Sequence, residues 1–153
     1  MSRVLPRLEP GEGVVPHSVE LRVRFGETDA AAVVFHGNYL RYFEVGRVEM
    51  LRAHGVSFAE LIASGLFMPV VDAWCSYHRP ARYDDLLRIE TWVDSRRRST
   101  VTVGNRVWRG AELLASGGVR LACIDSETGR PRALPEEVAS LESGPEGHVV
   151  EGD

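Results

Sequence analysis

A long apolar helix pattern, set among strand patterns, is the feature that most constrains how this chain can fold. From Asn38 to about Ala53 the sequence predicts a helix, with Asn38 as its N-cap and Gly55 just beyond its end. Apolar and aromatic residues cover more than one stripe of its surface: Tyr39, Leu40, Tyr42, Phe43, Val45, Val48, Met50 and Leu51. A helix that is apolar over so much of its circumference is usually buried, so this one is expected at the centre of the fold.

Segments with strand character lie on both sides of this helix. Residues 18–25 alternate between apolar and charged side chains, which predicts a strand with one buried face. A Ser57–Glu60 capping box then opens a short helix. β-Branched and aromatic residues predict four more strands, over residues 67–78, 86–94, 99–109 and 112–124, with a bulge at Gly117-Gly118 in the last.

These elements predict one α+β domain. Strands that follow one another through short connections pair in antiparallel fashion, so we expect a five-stranded antiparallel sheet covered by the one long helix. Residues 1–17, which contain Pro and Gly, are expected to be a flexible N-terminal arm. Residues 18–142 would form the domain, and residues 143–153 an acidic disordered tail.

The distribution of charge argues against one broad class of function. The formal net charge is −4, but the chain from Pro135 onward holds six acids, so the rest is close to neutral. Such a body gives no support for nucleic-acid binding as the main function. All 18 basic residues are arginine. An anion site in this chain must therefore use arginine side chains or backbone N–H groups.

The sequence predicts a cytoplasmic protein without a membrane span. The first 20 residues contain no apolar run of signal-peptide length, and no later apolar stretch is long enough to cross a bilayer. Cys75 and Cys123 lie in strand-like segments and are expected to be buried free thiols, with a lone disulfide as the alternative. His54, His78 and His148 lack metal-ligand spacing, so no metal site is expected.

The segment from Phe25 to Arg47, FGETDAAAVVFHGNYLRYFEVGR, contains the candidate chemistry. It places an acid, Asp29, in a loop shortly before the N-terminus of the long helix. The free N–H groups and the dipole of a helix N-terminus stabilise a developing oxyanion. A carboxylate that faces an oxyanion site is the arrangement that acyl transfer needs.

In this segment the sequence closely resembles the hotdog-fold thioesterases of the 4-hydroxybenzoyl-CoA thioesterase class. Within that class it is most similar to the short-chain acyl-CoA thioesterases encoded beside the Tol-Pal envelope system. The matching positions are Asp29, Val33, Val34, Phe35, His36, Asn38, Tyr39, Leu40, Phe43 and Glu44. The similarity continues over residues 18–140 through Arg79-Pro80-Ala81, Tyr83-Asp84-Asp85, Gly129-Arg130-Pro131 and Leu134-Pro135.

The resemblance implies a hotdog fold, in which the sheet wraps one long central helix, and hydrolysis of acyl-CoA thioesters to free acid and coenzyme A. It implies that Asp29 acts as nucleophile or general base and that the His36 N–H polarises the thioester carbonyl. No cofactor is implied, since coenzyme A is part of the substrate. The implied partner is a second copy of the chain, in a dimer or a dimer of dimers whose sheets join edge to edge.

Several residues of this pattern carry alternative interpretations. The His36 ring either takes part in proton transfer or only orients the loop. Val34, Asn38 and Tyr39 are expected to bind substrate, with capping and packing as the alternative for the last two. The family glycine is replaced by Ala32, so the loop either keeps a conformation that alanine tolerates or shifts slightly.

Charged residues at two places outside the loop also have alternative interpretations. Arg96, Arg97 and Arg98 either bind the phosphates of coenzyme A or form a solvated turn. Glu44 is either a buried, perturbed carboxylate or the ion-pair partner of an arginine on the same helix.

Two other functions are weighed against hydrolysis. A non-catalytic acyl-CoA or acyl-carrier binding module is disfavoured by the presence of Asp29. A hotdog dehydratase or hydratase is organised around a different arrangement of acid and histidine. The motif does not distinguish between short aliphatic, aromatic and quinone-precursor acyl groups.

Overall fold

The structure, a computed structural model, describes residues 5–141 of the chain. Its strands are β1 (His17–Arg22), β2 (Leu66–Phe67), β3 (Val70–Tyr77), β4 (Leu86–Arg96), β5 (Thr100–Arg109), β6 (Glu112–Ala122) and β7 (Ile124–Asp125). Its helices are α1 (Asn38–Ala53), α2 (Phe58–Ala63) and α3 (Glu136–Ala139), and a 3-10 turn covers Phe25–Glu27. The predicted acidic tail, residues 143–153, lies outside the described residues.

The main sheet confirms the predicted α+β class. It has five strands in the order β1-β4-β5-β6-β3, and all neighbours are antiparallel. The expected pairing of β3 with β4, the strand that follows it, is wrong, because β3 pairs with β6. Both edges of β4 are taken by β1 and β5. Strand β3 therefore forms one edge of the sheet, and β1 forms the other.

Helix α1 packs across the inner face of this sheet. Its buried residues are spaced three or four apart along one side: Tyr39, Tyr42, Phe43, Gly46, Glu49 and Met50. Gly46 allows the helix to approach β4 closely, since a Cβ there would lie 2.2 Å from Thr91 Oγ1. Burial of α1 is greatest on the side that faces the sheet. The sheet covers only one side of the helix, and Leu40, Arg41 and Glu44 are exposed.

The structure confirms some predicted boundaries and corrects others. Gly55 has a φ of 75° just after α1, and Ser57 accepts a hydrogen bond from the Glu60 N–H at the start of α2. Asn38 is not an N-cap. It is the first helical residue, and its side-chain amide donates to the Glu27 carbonyl over 2.8 Å. Strand β1 ends at Arg22, before the predicted end, because the chain turns into the 3-10 segment.

The predicted bulge at Gly117-Gly118 is absent, since β6 pairs with β3 in register through both glycines. The two glycines instead make room for Trp74. A Cβ on Gly117 would lie 2.1 Å from the Trp74 carbonyl oxygen, and one on Gly118 would lie 2.5 Å from the indole ring. Close approach of strand and ring, not a change of register, is therefore what requires glycine here.

The outer face of the sheet, turned away from α1, carries all three tryptophans of the chain. The Trp92 indole packs closely on Gly104, where a Cβ would lie 2.3 Å from the ring. The Arg106 guanidinium lies 5.1 Å from the ring centroid of Trp92 and 5.7 Å from that of Trp108. Glu90 accepts hydrogen bonds from Arg106 Nε, over 3.1 Å, and from Trp108 Nε1. Cation–π contacts and charged hydrogen bonds thus hold this face together.

Part of the N-terminal segment lies on this outer face. Trp74 Nε1 donates to the Pro6 carbonyl over 3.0 Å, and Glu9 forms an ion pair of 3.0 Å with Arg106. Leu8 Cδ1 lies 2.9 Å from the point where a Cβ on Gly118 would stand. Residues 6–9, which the sequence assigns to the arm, therefore have defined contacts with the sheet.

Two further predictions concern cysteines and membrane spans. Cys75 and Cys123 are free thiols, as expected, although only Cys123 is fully buried. Between residues 5 and 141 there is no helix with the length and hydrophobicity needed to cross a bilayer.

Candidate active site

The loop between the 3-10 turn and α1 holds Asp29 in a tight turn. The Asp29 N–H donates to the Val33 carbonyl and the Ala32 N–H to the Asp29 carbonyl, each over 2.9 Å. The Asp29 carboxylate accepts the Ala31 N–H over 2.8 Å. Ala32 has a φ of 61°, in the left-handed region that favours glycine. Alanine therefore occupies a glycine-type conformation, and Asp29 remains exposed.

Backbone hydrogen bonds anchor this loop to its neighbours. The Val34 N–H donates to the Ala81 carbonyl over 2.8 Å, and the Phe35 N–H to the Glu27 carbonyl over 2.9 Å. Val34 is also buried, at 4% exposure. With the Asn38 amide bound to the same Glu27 carbonyl, these contacts fix the start of α1 relative to Asp29.

The N-terminus of α1 supplies backbone donors. His36 lies two residues before the first helical residue, Asn38. Among the residues that the structure describes, no hydrogen-bond acceptor is found for the His36 N–H. The helix dipole adds partial positive charge at this end. A negatively charged oxygen would therefore be stabilised at this N-terminus.

Asp29 and His36 line one cleft of about 320 Å³, which Val34 and Tyr39 also line. Tyr39 is 3% exposed, and its hydroxyl accepts the Ala81 N–H over 3.2 Å. Burial raises the pKa of Tyr39, so its hydroxyl is neutral at ordinary pH. The fold thus brings together four of the residues that the sequence selects. Asn38 is not among the residues that line the cleft, and its amide donates to the Glu27 carbonyl.

Residues from the end of β3 complete the cleft and were not predicted as site residues: Tyr77, His78 and Arg79. The Tyr77 hydroxyl donates to the His36 carbonyl over 2.9 Å. Burial and the neighbouring Cys75 thiol raise the pKa of Tyr77 to about 12. His78 Nε2 lies 2.8 Å from Ser116 Oγ. An aromatic residue at a strand end is the only sequence signal for this contribution, and it does not indicate which loop the ring would face.

The run Arg96–Arg98 does not line this cleft. In the sheet register, Tyr77 shares a row with Ala115, Val107 and Ile89, whereas Arg96 shares one with Val101, Leu121 and Val70. Along β4 the two rows are about 23 Å apart, at ~3.3 Å per residue. Within one protomer the run therefore lies at the opposite end of the sheet from Asp29.

A separate apolar chamber of about 290 Å³ lies between the C-terminal half of α1 and the sheet. Most of its walls are aliphatic or aromatic, but Glu44 and Arg47 also line it. Burial lowers the pKa of Arg47, and the charge of Glu44 opposes that shift. Glu44 is exposed, which argues against its interpretation as a buried carboxylate.

The cleft combines a carboxylate with the N-terminus of a helix, and an imidazole and a phenol lie beside them. Such a set can hold a carbonyl oxygen at the helix while the carboxylate attacks the carbon or activates water. No group of three or more His, Cys, Asp or Glu side chains within residues 5–141 is arranged to hold a metal ion.

Comparison with known proteins identifies the family to which the chain belongs. Residues 23–141 match the model of the thioesterase-like superfamily. The chain is 35% identical over 121 residues to the acyl-CoA thioester hydrolase YbgC of Escherichia coli, covering 78% of this chain and 90% of that protein.

Solved structures agree with that match. A hypothetical protein from Aquifex aeolicus superposes with a TM-score of 0.77 at 31% identity, over 81% of this chain and 97% of the other. The DHNA-CoA thioesterase of Staphylococcus aureus superposes with a TM-score of 0.75 at 30% identity, over 78% of this chain and 80% of the other.

Proposed function

This chain belongs to the thioesterase-like superfamily and has the hotdog fold, and we propose on that basis that it is an acyl-CoA thioesterase with Asp29 as its catalytic carboxylate. The observation that carries the proposal is the cleft that Asp29 and His36 share at the N-terminus of α1. Within the superfamily we place the chain in the 4-hydroxybenzoyl-CoA thioesterase class, nearest to the Tol-Pal-associated short-chain branch. Its 35% identity to YbgC supports that placement.

The substrate is held through its thioester carbonyl. The carbonyl oxygen accepts the His36 N–H and lies at the positive end of the α1 dipole, where charge that develops on the oxygen is stabilised. Val34 and Tyr39 line the wall of the cleft beside it. Asp29 faces the carbonyl carbon from the loop, in the turn that the Ala31 and Ala32 N–H groups maintain.

Asp29 has two possible routes from this position. As a nucleophile, its carboxylate adds to the carbonyl carbon, the C–S bond breaks, and coenzyme A leaves as a thiolate that takes up a proton. Water then opens the mixed anhydride and releases the acid. As a general base, Asp29 takes a proton from water, whose oxygen adds to the carbon before the same thiolate leaves.

Release of free thiol from acyl-CoA, followed with a colorimetric thiol reagent, tests the assignment of Asp29. We expect Asp29→Asn to lower kcat by at least about 10², the low end of what a positioned acid–base group contributes. The fold should survive, since the change is nearly isosteric and the side chain is exposed. An Asn variant with wild-type turnover would remove Asp29 from the mechanism.

A single turnover in ¹⁸O-labelled water separates the two routes. Attack by Asp29 leaves one label in its own carboxylate after the anhydride is opened at the aspartyl carbon, and mass spectrometry of the Asp29 peptide detects it. General-base catalysis puts label only in the released acid. The same thiol assay with aliphatic, aromatic and quinone-precursor esters identifies the acyl group.

The alternatives predict different outcomes in these assays. A binding module would retain acyl-CoA without releasing thiol, and a dehydratase or hydratase would change the acyl chain without releasing thiol. Similarity to a named acyl-CoA thioester hydrolase over 90% of its length favours hydrolysis over both.

A further inference from the structure

The hydroxyl of Tyr77 joins the edge strand of the sheet to the helix end where the thioester carbonyl is proposed to bind. It donates to the His36 carbonyl over 2.9 Å. The ring meets the rings of Tyr39 and His36 edge-on, with centroid distances of 5.2 and 6.4 Å. Tyr39 is itself fixed by burial and by its bond to the Ala81 N–H. Tyr77 is therefore held in place by a rigid neighbour while its hydroxyl restrains the backbone of the site.

We propose that Tyr77 is a positioning residue for the oxyanion site at the N-terminus of α1. The inference rests on the function proposed above. It assigns Tyr77 no contact with the reacting atoms, because its hydroxyl is already engaged with the protein backbone. Its role is to hold the peptide group between His36 and Gly37 in one orientation.

The geometry of a trans peptide explains how one hydrogen bond can do this. In such a peptide the carbonyl and the following N–H point in opposite directions. A donor that fixes the direction of the His36 carbonyl therefore also fixes the direction of the Gly37 N–H, which lies next to the His36 N–H in the chain and likewise finds no acceptor within residues 5–141. The bond also restrains rotation about His36, whose own N–H has no acceptor within residues 5–141. Donors held in place before the reaction stabilise an oxyanion without reorganisation.

Electrostatics also favours a positioning role for Tyr77. The His36 carbonyl oxygen carries partial negative charge close to the place where a negative oxygen is proposed to form. The Tyr39 N–H lies 3.4 Å from this carbonyl, so Tyr77 is the closer donor. Without the phenol, the carbonyl would keep one weak partner and be freer to rotate. Such freedom matters most in the transition state, when the charge on the substrate oxygen is largest.

Steady-state kinetics of Tyr77→Phe test this role. The variant keeps the ring with its edge-on aromatic contacts and removes only the hydroxyl. We expect kcat to fall by about 10-fold or more and KM to stay within about twofold, the pattern of an interaction that acts in the transition state. The rates are measured on folded protein isolated by gel filtration. Tyr83→Phe is the matched control, since Tyr83 is 58% exposed and packs edge-on against Phe25, outside the cleft.

The result is read beside Asp29→Asn in the same assay. If Asp29→Asn is inactive while Tyr77→Phe turns over like the wild type, the positioning role is overturned and the proposed function stands. A rise in KM with unchanged kcat would also overturn it, because the residue would then serve uniform substrate binding. Full activity of Asp29→Asn would instead contradict the proposed function.

Discussion

Ala32, in the loop that holds Asp29, has a backbone conformation that its own side chain disfavours. Its φ of 61° lies in the left-handed region, and among residues 5–141 only Asp84 shares this feature without being glycine. A Cβ in this conformation costs about 1–2 kcal/mol. The hydrogen bonds around Asp29 hold Ala32 there all the same, so the loop keeps its shape at the expense of stability.

Ala32→Gly should therefore stabilise the protein. Relief of the strain is partly offset by the greater freedom of glycine in the unfolded chain, which leaves a gain of about 0.5–1 kcal/mol. Urea denaturation measures it. Ala30→Gly, at an exposed position of the same loop with an ordinary φ, is the control and should destabilise slightly. Equal losses in the two variants would show that Ala32 is not strained.

At the scale of elements, α1 and β4 depend on the missing side chain at Gly46. A Cβ there would lie 2.2 Å from Thr91 Oγ1 and 2.9 Å from Ile89 Cγ2. Thr91 is fully buried and accepts a hydrogen bond from the Asn105 amide over 3.0 Å. It cannot move aside without disturbing that bond, so the helix sits at a distance from the sheet that only glycine permits.

We expect Gly46→Ala to destabilise the fold by about 1–2 kcal/mol. Alanine is the better helix former by about 1 kcal/mol, but overpacking in a rigid core costs about 1–3 kcal/mol, and the shortness of the contact makes the clash the larger effect. Thermal unfolding measures the difference. Gly26→Ala, which would meet no atom within 4 Å, should be close to neutral. A stabilised Gly46→Ala variant would mean that the helix can move away from β4.

The same elements show what the sequence could predict. The bounds of α1 and the grouping of Asp29, Val34, His36 and Tyr39 depend on one continuous segment, so local patterns and the family motif are sufficient. The partner of β3 and the arrival of Tyr77 in the cleft depend on which strand edges are already occupied. No local pattern contains that information. The prediction of Asn38 as N-cap is wrong for a related reason, because its amide donates to the Glu27 carbonyl in a neighbouring loop.

At the scale of the whole molecule, the edge strand β3 favours assembly. It ends the sheet, and Val70, Val71 and Tyr77 on it are 49%, 47% and 51% exposed. Open edges are normally paired or covered, and a twofold pairing of β3 with β3 is the simplest closure. We predict a homodimer as the smallest active species, with twice the 17.0 kDa mass of the chain. Light scattering that found an active monomer at assay concentration would contradict this.

In the predicted dimer, the Arg96–Arg98 run would lie at the same level along the strands as the partner's cleft. Antiparallel pairing of the two β3 strands sets the Val70 end of one copy beside the Tyr77 end of the other. The arginine row of one sheet then lies at the level of the other copy's cleft. Replacing all three arginines with serine should raise KM for acyl-CoA with kcat nearly unchanged. The effect should shrink at high salt as the charges are screened.

Mixed dimers test the direction of this contribution. A copy with Asp29→Asn and intact arginines is combined with a copy that has Asp29 and the three serines. If the run serves the neighbouring cleft, the mixture regains sites with wild-type KM. If the run serves its own cleft, every active site keeps the raised KM. An unchanged KM in the serine variant itself would leave the run as a solvated turn.

The placement of the three indoles on the outer face makes the intrinsic emission of this protein selective. The cleft is lined by tyrosines and by no tryptophan within residues 5–141, whereas Trp74 touches Pro6 and Trp92 and Trp108 flank Arg106. A change in the polarity around the indoles, or in their quenching, would therefore indicate that residues 6–9 have left the sheet. A bound acyl group should leave the tryptophan emission spectrum almost unaltered. A substrate that did shift the spectrum would reveal a mechanical link through the sheet between its two faces.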